Sequence, residues 1–191
     1  MLLNPVLFYI KMITNLTEIF YIIVLTLAIG YIFSGYIKIP GLYSRGWNWK
    51  GIKFAMLVTA PAIILHELAH KFVGLAFGYA AMFHIWWTGL GIGLLLRVIG
   101  SPFLLLAPGY VSVNPSSSLE LSLIAFAGPF INLLLFGISL LVLRFKRRLK
   151  RKEFLFWHLT KMINMWLFIF NMIPIPPLDG SKVFGGLLGL L

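Results

Sequence analysis

Two histidines four residues apart, with a glutamate beside the first, stand inside an apolar run: His66-Glu67-Leu68-Ala69-His70, in a stretch that begins near Phe54. On a helix, residues i and i+4 share one face about a turn apart. Two imidazoles so placed can grip one zinc ion, and the neighbouring glutamate can take a proton from water. Ionisable groups at bilayer depth are costly, so a cluster there points to function. The chemistry that follows is metal-assisted hydrolysis inside a membrane.

The rest of the 191-residue chain agrees with that setting. It is 60% hydrophobic and 11% charged, with a mean hydropathy of +0.96. Soluble domains average about 25% charged residues. With no cysteine there is no disulfide framework, thiolate metal site or thiol nucleophile. The net charge of +11 raises the question of nucleic acid, but 7 of the 16 basic residues fall between Arg144 and Lys152. A basic block beside a hydrophobic span anchors topology at anionic headgroups, so no nucleic-acid partner is expected. Met1 to Thr14 lacks the basic start and small-residue cleavage site of a signal peptide.

Four spans are expected to position the motif. Ile19 to Ile37 is uncharged and long enough to cross a bilayer, and Asn15 with Glu18 reads as a capping box at its start. Phe54 to about Tyr79 is the second span, with Pro61 one turn before the motif, where it removes a backbone donor and would loosen the helix. Leu119 to Leu143 is the third, opened by a second capping box, Ser117 with Glu120. Phe154 to about Ile173 is the fourth. Between the second and third spans, residues 81–87 are aromatic-rich, like a strand or an interfacial belt. The apolar residues 90–106, split by Pro102, read as a re-entrant segment rather than a kinked full span. Phe103 to Val113 is strand-like. The fold class expected is an all-α polytopic membrane protein with about four transmembrane helices and a re-entrant, partly β segment. It forms a single domain over 1–191, with its core over about 54–184.

A catalytic zinc usually takes three protein ligands and leaves one position for water. A third histidine six residues after His70 is absent, because Ala76 stands there. The chain has only five acids, so each can be weighed. Glu18 and Glu120 sit at helix starts, where capping explains them. Glu153 ends the basic run and is expected in solvent. Glu67 is the candidate base. Asp179 remains, just after Pro174, Pro176 and Pro177, which break a helix and free backbone polar groups; in a membrane such backbone lines protein or a wet cavity. Asp179 therefore sits where a metal site could form. His84 and His158 are weaker candidates, better read as an interfacial packing residue and a neighbour of the basic loop.

These residues resemble the site-2 protease family, the intramembrane zinc metalloproteases. HELAH matches its H-E-x-x-H. Ala127-Gly128-Pro129-Phe130-Ile131-Asn132 is similar to its A-G-P-x-x-N helix. The segment from Asn171 to Gly180, ending Leu178-Asp179-Gly180, resembles its N-x-x-P-x(3)-L-D-G stretch. The three occur in the family's order, and Leu106 to Val111 is similar to its re-entrant strand region. The resemblance implies one zinc per chain held by His66, His70 and Asp179, with Glu67 as general acid and base. It also implies that Asn132 lies near the site, where its amide would assist the oxyanion. Gly128-Pro129 could otherwise be a packing notch, and Asn132 a bond to a neighbouring helix. Unlike larger members, the sequence shows no PDZ-like or CBS-like segment.

The reaction so implied is cleavage of a peptide bond in or beside a transmembrane segment of another membrane protein. A helical substrate has to unwind first, and an edge strand near Phe103 to Val113 could pair with it. The protein is expected to be integral and multi-pass, in the cell membrane. The positive-inside rule puts both basic loops, Lys38–Lys53 and Arg144–Lys152, in the cytoplasm and the site toward the outer face; the resemblance implies the opposite. The alternative function is a divalent-metal carrier or a catalytically silent substrate-binding homologue. A carrier should carry ionisable residues along several spans, and a silent homologue should have lost Glu67 or a ligand.

Overall fold

The computed structural model describes residues 15–37, 48–101 and 109–189. Its first helix, α1 (Leu16–Ser34), starts at Asn15, whose side chain accepts from the Thr17 amide at 3.1 Å. Leu25, Ile29 and Ile32 lie on one face and are fully buried, while Leu16, Phe20, Ile23 and Leu27 are exposed on the other. Apolar residues on both faces are what lipid on one side and protein on the other require.

The helix that carries HELAH is α2 (Trp49–Ala76). Asn48 opens it, accepting from the amides of Lys50 and Gly51 at 3.1 and 3.3 Å. It runs unbroken through Pro61, so the expected loosening is not seen. It ends where Gly78 turns to a φ of 86°, a left-handed conformation that suits glycine, and the Tyr79 amide bonds back to Gly74 at 3.0 Å.

Strand β1 (Met82–Ile85) and strand β2 (Gly109–Ser112) form a two-stranded antiparallel sheet, with Phe83 opposite Val111 and His84 opposite Tyr110. Between them lies α3 (Trp87–Val98), of 12 residues. At 1.5 Å per residue it reaches about 18 Å, short of the ~30 Å hydrocarbon core. That suits a re-entrant element; residues 102–108 of the expected segment lie outside the described residues. One core cluster joins Leu25, Ile29 and Ile32 of α1 to Ile63 of α2, Phe83 and Ile85 of β1, and Leu90 of α3.

The remaining helices are α4 (Ser118–Phe145), α5 (Arg151–Asn171) and α6 (Asp179–Leu187). Ser117 caps α4 by accepting from the Glu120 amide at 3.2 Å. Helix α4 packs against α2, α5 and α6 and is the spine of the domain.

Three helices among the described residues, α1, α2 and α4, are long and apolar enough to cross a membrane. This corrects the expected count of four. Helix α5 has 21 residues, but Arg151, Lys152, Glu153 and Lys161 dilute its apolar character.

Two glutamates also differ from expectation. Glu18 does not close a capping box. It lies buried in an ion pair with Lys71 of α2 and accepts the Phe83 amide at 2.7 Å. The Glu120 carboxylate takes the Tyr79 hydroxyl at 2.5 Å instead of turning back on its own helix. Glu153 does cap its helix, accepting the Lys150 amide at 3.2 Å, with Lys146 Nζ at 3.4 Å. Those contacts, the backbone amide first, hold its carboxyl below the usual range.

Candidate metal centre

Three atoms from distant parts of the chain meet at one point. Asp179 Oδ2 lies 3.0 Å from His66 Nε2 and 3.3 Å from His70 Nε2, and the two Nε2 atoms are 3.1 Å apart. Both imidazoles are buried, and the carboxylate is 15% exposed. The i, i+4 spacing on α2 sets the imidazoles edge to face, with ring centroids 4.7 Å apart. Asp179 arrives as the first residue of α6, delivered by the proline-rich turn.

Two glycines let the backbone come close enough. A Cβ on Gly128 would strike the Nε2 atoms of both histidines, so α4 can lie against the imidazoles only with hydrogen at that position. A Cβ on Gly180 would lie 2.5 Å from the Met172 and Ile173 backbone, so the turn can fold back beneath Asp179 only with glycine there.

The far nitrogen of each ring fixes its tautomer. His70 Nδ1 lies 2.7 Å from the Ile124 carbonyl oxygen, which can only accept, so Nδ1 carries the hydrogen. His66 Nδ1 lies 2.6 Å from Asn132 Oδ1. The orientation of that amide is set in turn. Asn132 Nδ2 donates to the Ala62 carbonyl and to Asn164 Oδ1, both at 2.9 Å. Asn164 Nδ2 donates to the Thr160 carbonyl at 2.8 Å. Oδ1 of Asn132 therefore faces His66, which must donate. A neutral imidazole has one donor and one acceptor nitrogen, so both Nε2 atoms present lone pairs to each other and to a carboxylate. Three acceptors so close call for a shared positive charge, either a metal ion or a proton on one of the Nε2 atoms.

Two imidazole nitrogens and a carboxylate oxygen are a zinc donor set, and a hydrogen bond from the second ring nitrogen of each histidine is the usual support for a metal ligand. Among the described residues, His66, His70 and Asp179 form the group able to hold a metal ion. The residues fit zinc.

Glu67 faces a narrow recess with Ile22, Ile64, Leu68 and Phe83. No hydrogen bond or ion pair joins its carboxylate to another described residue. Asn132 is fully buried, and its amide hydrogens go to Ala62 and Asn164. It lies against His66, with neither hydrogen left for an oxyanion.

The weaker candidates lie elsewhere. His84 stacks on Tyr110 at 5.4 Å and sits 3.1 Å from Ser112 Oγ, while His158 stacks on Phe154. Sequence reasoning missed Asn164, which is fully buried on α5. It also missed the carbonyl of Ile124, which nothing in a sequence can mark.

No family model and no solved structure matches the chain. One relative does, a protein of Methanocaldococcus jannaschii named "Putative zinc metalloprotease", 36% identical over 135 residues that cover 68% of each chain. The fold sets a trio of residues able to hold a metal ion beside a helix long and apolar enough to cross a membrane. At this identity and coverage, the chain belongs to the same family, the zinc metalloproteases.

Proposed function

We propose that the protein is an intramembrane endopeptidase of the site-2 protease kind, cutting peptide bonds in or beside transmembrane segments of other membrane proteins. The observation that carries this reading is that Asp179 of α6 meets His66 and His70 of α2, a helix long and apolar enough to cross a bilayer. His66, His70 and Asp179 would hold the metal. Zinc, when bound, supplies a Lewis acid that makes water nucleophilic near neutral pH and polarises a carbonyl.

The chain's own residues do the rest. Glu67, one residue from a ligand and unpaired among the described residues, takes a proton from the attacking water as the carbon–oxygen bond forms. It returns that proton to the amine nitrogen as the carbon–nitrogen bond breaks. Asn132 acts as a positioning residue rather than an oxyanion donor. It holds the His66 tautomer, and Asn164 holds Asn132.

The sheet supports the presentation of an unwound substrate. In an antiparallel ladder, opposed residues either exchange both backbone bonds or exchange neither. The Phe83 amide points to Glu18, so the pair Phe83 and Val111 is of the second kind. The amide and carbonyl of Val111 therefore point away from β1, to the outer edge of β2. No backbone hydrogen bond of the described residues lies on that edge. An extended substrate segment can add there.

The test is zinc content and cleavage of a transmembrane substrate by the purified protein in detergent. The expected result is about one zinc per chain. Glu67→Gln should keep the metal and lose turnover by 10²–10⁴-fold, roughly the worth of general acid–base catalysis. Near-normal cleavage by that variant would sink the mechanism, and zinc loss would make Glu67 a ligand. A carrier would move zinc across vesicles without cleaving anything.

A further inference from the structure

The mechanism above leaves one buried ion pair unused. Glu18 of α1 and Lys71 of α2 are 5% and 2% exposed, in a protein with few charges. Burying two charges costs several kcal/mol per ion before their attraction repays it, and an apolar pair would hold two helices together as well. What an apolar pair cannot do is accept a hydrogen bond. Glu18 uses one oxygen for Lys71 and the other for the backbone amide of Phe83, at 2.7 Å.

That amide is one of the outward groups of β1. A two-stranded sheet has two outer edges, and either could receive an extended chain. Helix α1 packs along β1, and Glu18 supplies the acceptor that an incoming strand would otherwise supply. Helices α2 and α3 also touch β2, but no hydrogen bond from a described residue closes its outer edge at Val111. Lys71 follows the ligand His70 directly, so the same pair ties the sheet to the helix that carries the metal ligands.

We propose that Glu18 is a positioning residue that closes the outer edge of β1 at Phe83 and, through Lys71, registers the sheet to the metal helix, so that a substrate strand docks on β2 alone. This rests on the reading of the protein as an intramembrane protease. Without Glu18, the Phe83 amide has to find another acceptor, and an incoming strand is the nearest source. Substrate would then bind in more than one register, and cleavage would scatter over several bonds.

Two double variants of the full chain test this. Glu18→Gln with Lys71→Gln removes both charges but keeps an acceptor for Phe83. Glu18→Leu with Lys71→Met removes charges and acceptor together while filling the space. Zinc content, hydrogen exchange at the Phe83 amide and the cleavage sites in a transmembrane substrate are measured in each. The Gln pair is expected to keep zinc, amide protection and a single cleavage site. The Leu/Met pair is expected to keep zinc, exchange the Phe83 amide about tenfold faster or more, and cut at several bonds. Equal protection and the same cleavage site in both overturn the proposal. Zinc loss confined to the Leu/Met chain overturns it too, because the pair would then hold the metal site rather than the edge. If the wild-type chain cleaves no substrate, the protease reading fails on its own, and Phe83 exchange still decides whether Glu18 closes the edge.

Discussion

At the scale of single residues, the three side chains that meet at the candidate metal site were legible in the sequence because their chemistry has few substitutes. An i, i+4 histidine pair and one acid left unexplained after four others had local roles pointed to the atoms that meet in the structure. What sequence could not reveal was the use of polar residues across long distances. Glu18 has the right spacing to cap its own helix, yet Lys71 and the Phe83 amide offer it a buried partner and an otherwise unpaired donor. Asn132 could be placed near the site, but its orientation depends on Asn164 and the Thr160 carbonyl. Two predictions belong here. Asp179→Ala should strip most of the zinc, measured by metal analysis after dialysis, and full retention would mean a different third ligand. Asn132→Ala should weaken zinc binding about 10–100-fold, as loss of a ligand's hydrogen-bond partner does elsewhere. Competition with a chelator measures it. Unchanged affinity with lost turnover would instead restore the role of Asn132 at the oxyanion.

At the scale of elements, the long apolar helices announced themselves, and the two strands fall within the stretches read as strand-like, but their pairing was not legible. Each strand has four residues, and the two pair across an intervening helix, so their register depends on contacts that no local pattern encodes. The aromatic stretch at 81–87 read equally as a strand or a membrane belt. The fourth expected span failed for a simpler reason: polar and charged residues on α5 lower its apolar character below that of α1, α2 and α4. The sheet gives a sharp test of substrate docking. Val111→Pro removes the outward amide on β2 and should impair cleavage while zinc stays bound. Val111→Ala keeps that amide and should change the rate much less. Equal rates at equal zinc content would refute docking through this residue.

At the scale of the whole molecule, the site fixes how the spans lie. His66 meets Asn132 and His70 meets Ile124, so α2 and α4 run antiparallel. The start of α2 and the end of α4, each beside a basic loop, therefore share one face of the membrane. The chain has no cysteine, so single labels can be introduced without a background. Cysteines at Lys50 and Arg148 should react with an impermeant reagent from the same side, and one at Asn114 from the other. The positive-inside rule expects the first side to be cytoplasmic; labelling of Lys50→Cys and Arg148→Cys from opposite sides would contradict the arrangement of helices itself. The position of His66 along α2 has a further result. At 1.5 Å per residue, the ligand lies about 25 Å from the helix start and about 15 Å from its end. A substrate span of about 20 residues severed at that depth yields two pieces, and each falls below the ~17 residues that a crossing needs. On the proposed reading, neither piece would by itself stay threaded through the bilayer, so a single cut would free the two halves of a single-span substrate to depart on opposite sides.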